Sequence, residues 1–439
     1  MTMSFWIALA CTAVIEVYML RHLRFDWIIV AIVLAGTTLC IDYLTYTTFD
    51  ERNWDATNHI MYIQSIAENL RLPNVYDCTP CGHPPLYYAL GALWSWVVLA
   101  TDWIPLEQGL QWFSLLLFFG FVVFALLIFR SCISRPATLW LSAVLLVFWP
   151  SSIINSVRVH NDSLASLLML AAIYFLAQWD QNKRNRDFYA ALVAVALSLL
   201  TKASGYTVAV ALVFFAGIRL CSTKFHRADV TRFTAAILAL AGVALLATGF
   251  RESRRPTNLC QKVLGHACDG RYVPPVPDTP SRFLSFDVGN FVRGIYTQPT
   301  DPFLNQLAKS SLFGMESKGR DDFDSARHEV LATLMSVLLL AMLAVCLAGI
   351  PLVRRVHIKK YRVYFSVAII MFLVLVAFRL RAPNELHEDF RHIFPALVPF
   401  CLGYAVIVDR LGRYTQILYY TGVAIALLMV VSSALFFVQ

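Results

Sequence analysis

Charge is what this chain has least of. Only 15% of its 439 residues are Asp, Glu, Lys or Arg, against 58% hydrophobic, and the mean hydropathy is +0.62. A soluble globular domain carries roughly a quarter charged residues, so a water-soluble enzyme domain is excluded. The chain also lacks a phosphate-cradling glycine loop, a Gly-x-Ser-x-Gly elbow and a His-Glu-x-x-His pair, which removes the usual signatures of nucleotide, serine-hydrolase and zinc-protease chemistry. There is no internal repeat and no low-complexity tract. The formal net charge is +8, but its basic residues are spread over several loops, without a basic helix or an aromatic stacking module. Nucleic acid is therefore not expected as a partner.

What is present is a succession of apolar runs long enough to cross about 30 Å of hydrocarbon as helix. Strands are excluded as spans, because an open sheet edge in lipid leaves amides unpaired. The runs lie at about 4–20, 27–46, 109–129, 137–154, 163–178, 188–201, 204–220, 233–250, 329–352, 363–379, 394–409 and 415–438. The expected fold is an all-α polytopic membrane protein of about 11–12 transmembrane helices, a single unit over 1–439. The run 4–20 has no basic leader and no clear cleavage site, so it reads as retained, although Glu16 lies inside it. The pair 188–201 and 204–220 reads as a tilted helical hairpin around Lys202-Ala203-Ser204-Gly205.

Charge bookkeeping orients the bundle. If 84–101 lies in the interface rather than crossing, Arg21, Arg130, Lys183, Arg232, Arg362, Arg410 and their basic neighbours fall on one side. The positive-inside rule makes that side cytoplasmic, and Trp94, Trp96 and Trp103 suit a headgroup layer. The outer face then holds loop 47–108 with juxtamembrane helices, the long loop 251–328, and short turns at 155–162, 202–205 and 380–393. Of ten Cys, four (Cys78, Cys81, Cys260 and Cys268) lie on that face. They are disulfide candidates in an oxidising compartment, paired within or across the loops. Cys78-Thr79-Pro80-Cys81-Gly82-His83 does not fit haem attachment, since Gly82 separates Cys from His. A zinc site there would need a further ligand, and a redox pair lacks a surrounding βαβ pattern.

Several outer-face residues could carry chemistry. Asp55, His59 and Tyr62 share one edge of a helix predicted over 54–70, whose stripe Ile60, Ile63, Ala67 and Leu70 faces the membrane. Asp55 is either a general base or metal ligand, or a carboxylate placed for the helix dipole. Asp162, in Arg158-Val159-His160-Asn161-Asp162-Ser163, is either a second active-site acid or, with its neighbours, a helix cap. Asn161-Asp162-Ser163 matches a glycosylation sequon but sits close to the membrane. Lys202, Arg379, Arg381, Arg391 and His392 are basic residues on the side where topology does not call for them. They either hold a phosphate, or pair with Glu385, Glu388 and Asp389, or contact lipid headgroups.

Four of these pieces occur together in one order. They are Asp55, His59, Tyr62 with His83-Pro84-Pro85-Leu86-Tyr87-Tyr88; Asn161-Asp162-Ser163-Leu164-Ala165; Leu200-Thr201-Lys202-Ala203-Ser204-Gly205; and Glu388-Asp389-Phe390-Arg391-His392-Ile393-Phe394-Pro395-Ala396. Together they resemble the GT-C superfamily of membrane glycosyltransferases, in its family-39-like and lipid A aminoarabinose transferase-like branch. His392 departs from the family's common Arg-Tyr pattern, and loop 251–328 has no counterpart.

The resemblance implies a polyprenyl-phosphate-sugar donor and a glycan, lipid or protein hydroxyl as acceptor. It places the enzyme in a bacterial inner membrane, among its lipids, with the active site outside. It makes Asp55 the base and Asp162 a second acid. Relatives differ in metal use, so a divalent cation, Mg or Mn, held by Asp55 and Asp162 is one option. Arg391 and Lys202 become candidates for the lipid phosphate; His83, Tyr87 and Tyr88 shape the pocket, with His59, Tyr62 and His392 also at the substrate. A transporter or flippase for a lipid-linked glycan is the main alternative, although it would often show paired repeats. A thiol oxidoreductase on Cys78 and Cys81 is the third.

Overall fold

The computed structural model describes residues 3–46, 56–101, 104–222, 227–246, 279–295, 301–314, 323, 325–353, 358–381 and 388–438. Within them the chain is helical, with no strand. The helices are α1 (Met3–His22), α2 (Trp27–Tyr46), α3 (Ala56–Asn69), α4 (Leu86–Thr101), α5 (Leu106–Cys132), α6 (Pro136–Val147), α7 (Pro150–Ser156), α8 (Asn161–Asn182), α9 (Asn185–Leu199), α10 (Tyr206–Ser222) and α11 (Arg227–Ala244). They continue as α12 (Pro280–Leu284), α13 (Val288–Val292), α14 (Phe303–Phe313), α15 (Ala326–Val353), α16 (Ile358–Arg381), α17 (Leu397–Leu411) and α18 (Gln416–Phe437).

By length and composition, seven of the described helices can cross a membrane, or eight if the bent pair α6–α7 is one span. That is fewer than the run count predicts. The stretches 203–219 and 233–244 are shorter apolar helices, as is α4, and α9 has 15 residues. The run 137–154 is not one straight helix: α6 and α7 meet at 57°. Pro150 explains the break, since it has no amide to donate and its ring clashes with the carbonyl four residues earlier; it starts α7 instead.

The two ends of the bundle differ chemically. At one end basic loops are tied together: Arg135 pairs with Asp409, Asp180 pairs with Arg362 and Lys183, and an Arg130 guanidinium donates to the Leu23 carbonyl. The opposite end carries α3, α4, the turn before α8, the turn after α9, the helices α12–α14 and the segment 388–396. There α3 packs on α4 so closely that a Cβ on Gly91 would lie 2.8 Å from Ile63 Cδ1. The stripe on α3 buries Ile60 and Ile63, but Leu70 is exposed, because the chain leaves the helix there with a positive φ of 52°.

The long outer loop is anchored to the bundle by a buried charge cluster. Arg282 on α12 donates from both terminal nitrogens to the Glu388 carboxylate, at 2.6 and 2.7 Å, and Arg379 at the end of α16 donates through Nε at 2.6 Å. All three are buried. The plainer reading of Arg379, pairing with a nearby Glu, is therefore the one the geometry meets. Removing the carboxylate would take away the anion that two buried guanidiniums share, and breaking a buried ion pair from one side costs about 3–5 kcal/mol. Glu388→Ala is expected to lower the thermal midpoint of the purified protein by a corresponding margin; an unchanged midpoint would show that the cluster does not hold the loop.

Candidate active site

The N-terminus of α8 is the centre of the site. His160 is its cap residue and Asp162 sits in the first turn. Asp162 Oδ1 lies 2.5 Å from Lys202 Nζ, and Oδ2 lies 2.7 Å from His160 Nδ1 and 3.9 Å from Arg391 Nε. The same His160 nitrogen is 3.1 Å from the Asp162 amide nitrogen. Unprotonated, Nδ1 caps that amide; protonated, it grips the carboxylate. In either state the imidazole pins the first turn of the helix. Arg391 is also 3.4 Å from Asp389.

Lys202 reaches Asp162 because its own turn is rigid. Its amide donates to the Ser198 carbonyl at 2.9 Å and its carbonyl accepts from Gly205 at 3.0 Å. A Cβ on Gly205 would lie 2.6 Å from Ser198 Oγ and 2.8 Å from the Ser198 carbonyl carbon, so only glycine closes the turn without displacing backbone. The first outer loop is tied to this hairpin by the Leu86 amide, which donates to the Leu200 carbonyl at 3.0 Å.

The aromatic residues form a second layer behind the acid. The His59 ring lies 4.4 Å from the His160 ring, centroid to centroid, and His59 Nδ1 is 2.9 Å from the Tyr88 hydroxyl. Tyr88 stacks on Tyr62 at 3.7 Å, and its hydroxyl is 3.4 Å from His83 Nδ1. Asn161 Nδ2 is 3.2 Å from the same His83 nitrogen. His59, Tyr62, Tyr87 and Tyr88 are all buried. They brace the site rather than line its opening. Cys78 and Cys81 form a disulfide, with Cα atoms 5.1 Å apart, in the loop that leads to His83.

Beside Asp162 opens a cleft that encloses about 440 Å³ of non-atom space, open solvent at its mouth included. It is lined by Arg158, His160, Asp162 and Arg391 on one side and by Phe118, Phe121 and Phe394 on another. Among the described residues two arginines, Arg158 and Arg391, line it against one carboxylate, Asp162, so the described lining favours an anion. Arg158 is buried, and a Cβ on Gly314, at the end of α14, would sit 3.7 Å from its guanidinium. The long outer loop thus reaches the cavity wall.

Sequence reasoning did not single out Arg158 or His160. Both stand in the Asp162 motif, and the signal was there in a basic residue just outside a span. His392 turns toward Phe378, 6.4 Å between ring centroids, and does not line the cavity. Asp55, Cys260 and Cys268 lie outside the described residues. So do Trp103 and Glu385. Among the described residues no three His, Cys, Asp or Glu side chains converge to hold a metal ion. Asp162 Oδ1 is paired with Lys202, while Oδ2, close to His160 Nδ1, accepts no hydrogen bond among the described residues.

No family profile and no curated protein matches the chain. Solved structures do. The oligosaccharyltransferase of Archaeoglobus fulgidus in its apo form superposes with a TM-score of 0.53 at 14% identity, over 94% of this chain and 56% of that one. The same enzyme tethered to an acceptor peptide containing the NVT sequon gives 0.51 at 13%, over 94% and 55%. AglB of that organism, with an inhibitory peptide and a dolichol-phosphate, gives 0.50 at 13%, over 93% and 55%. This chain spans a little over half the length of these neighbours. The fold it shares with them is the GT-C membrane fold.

Proposed function

We propose that this GT-C-fold chain transfers a sugar from a polyprenyl-phosphate carrier to an acceptor hydroxyl, at the extracytoplasmic face of a bacterial inner membrane. The family-39-like and aminoarabinose transferase-like branch is the one its motifs match. The observation that carries the reading is the meeting of Asp162, Lys202 and Arg391, from three separate turns, beside one cavity with an aromatic wall. The basic loops gather at the other end of the bundle, which supports an outward-facing site. A neighbour solved with a dolichol-phosphate supports a lipid-phosphate donor.

In the proposed reaction the acceptor oxygen attacks the anomeric carbon while Asp55 takes its proton. The bond from that carbon to the phosphate oxygen breaks, and the phosphate leaves with the electron pair and inverts the centre. Arg391, Lys202 and Arg158 offset the charge that grows on the leaving group. The phenylalanine wall suits the first isoprenoid units.

The test is reconstitution into liposomes with a synthetic polyprenyl-phosphate sugar on the side of the site. We expect glycosylated acceptor, with the opposite anomer read by NMR. Donor that crosses the bilayer with no product would turn the reading to a flippase.

A further inference from the structure

We infer that the long outer loop belongs to the frame of the site: its helix α14 sets the turn that carries Arg391, and Ser310 is the positioning residue through which it does so. The inference rests on the proposed lipid-phosphate donor for its ligand, and on the geometry for the support. Ser310 is buried. Its hydroxyl donates to the Leu307 carbonyl at 3.1 Å and accepts from the Phe390 amide at 2.9 Å. Phe390 directly precedes Arg391, whose own amide donates to the Asp389 carboxylate at 2.9 Å. Successive amides of the turn are thus held by side chains, one local and one from α14, 80 positions earlier. With the backbone fixed in this way, the Arg391 side chain starts from one place on the cavity wall that it lines.

A support must itself be held, and α14 is. Lys309, next to Ser310, is buried; it donates to the Phe291 carbonyl on α13 and to Ser336 Oγ on α15, the latter at 3.0 Å. An ammonium taken out of water is costly unless its protons are received, so those two acceptors fix the lysine in place. The Trp149 indole donates to the Ser311 carbonyl at 2.6 Å, which joins α14 to the start of α7. Asn305 exchanges hydrogen bonds with the backbone of Asp287, at 2.9 and 2.6 Å. The consecutive residues Lys309, Ser310 and Ser311 therefore tie α14 to separate parts of the bundle. The helix ends at Gly314, beside the Arg158 guanidinium, so it reaches the cavity wall at both arginines.

The test is a double-mutant cycle on the binding of a polyprenyl phosphate, followed by microscale thermophoresis on the full chain in detergent. Arg391→Gln loses a charge-assisted hydrogen bond and should weaken binding by about 10–100-fold. Ser310→Ala leaves the Phe390 amide without its acceptor and should weaken binding by about 10-fold. In the Arg391→Gln background Ser310→Ala should add nothing, because the guanidinium it positions is gone. Hydrogen exchange reads the support with no ligand present: the peptide 388–396 should exchange faster in Ser310→Ala than in the wild type. Ser310→Cys, a much weaker acceptor, replaces the alanine variant if that protein elutes as aggregate, with the same expectations. An equal loss of binding in both backgrounds overturns the inference, and so does unchanged exchange at 388–396. Wild type that binds no polyprenyl phosphate would count against the proposed donor, and the exchange result then decides the support by itself.

Discussion

Asp55→Asn is expected to reduce sugar transfer by about 10²–10⁴-fold, the contribution of a well-placed general base, while the amount of protein in the membrane stays the same. The amide keeps the shape of the carboxylate but cannot take a proton from the acceptor hydroxyl. Asp55 immediately precedes α3 in the chain, and that helix carries His59 to within 4.4 Å of the His160 ring. His160 in turn contacts Asp162. The first outer loop therefore belongs to the same cluster as the second acid. Transfer at saturating acceptor, measured with equal protein in each vesicle preparation, checks the assignment. Near-normal turnover in the variant would remove Asp55 from the chemistry, and Asp55→Glu should recover part of the rate because it restores a carboxylate.

The second large effect is expected at Asp162, and its form differs. Asp162→Asn removes the negative charge from between Lys202 and Arg391 but leaves both cations largely buried. Breaking a buried ion pair from one side costs about 3–5 kcal/mol, because the partner stays charged and desolvated. Stability and transfer should therefore fall together. Removing the partner as well tests the cause: Asp162→Asn combined with Lys202→Met should recover much of the lost stability and none of the transfer. A thermal-melting double-mutant cycle gives the coupling energy. Additive losses would mean that the two side chains do not depend on each other, against the observed 2.5 Å contact.

How far the site was legible depended on whether local sequence or distant contact defines a residue's role. His59, Tyr62, His83, Tyr88, Asp162 and Lys202 could be named because each sits in a short motif next to a span end. Their partners could not. No short-range rule ties Lys202 to Asp162, 40 positions earlier. Arg282 gave no signal, since its carboxylate lies 106 residues away. Pro150, by contrast, was readable: a proline inside an apolar run marks a break, and the run 137–154 passed over it.

The sequence alone determined that this protein lives in a membrane and is built of helices, because low charge and long apolar runs leave the backbone no other way to satisfy its hydrogen bonds in lipid. It also determined which turns carry the polar residues. Only the tertiary structure decided which of those residues meet. Ion pairs and ring stacks act over a few ångströms, and the turns that supply them are brought together by how helices far apart in the chain pack.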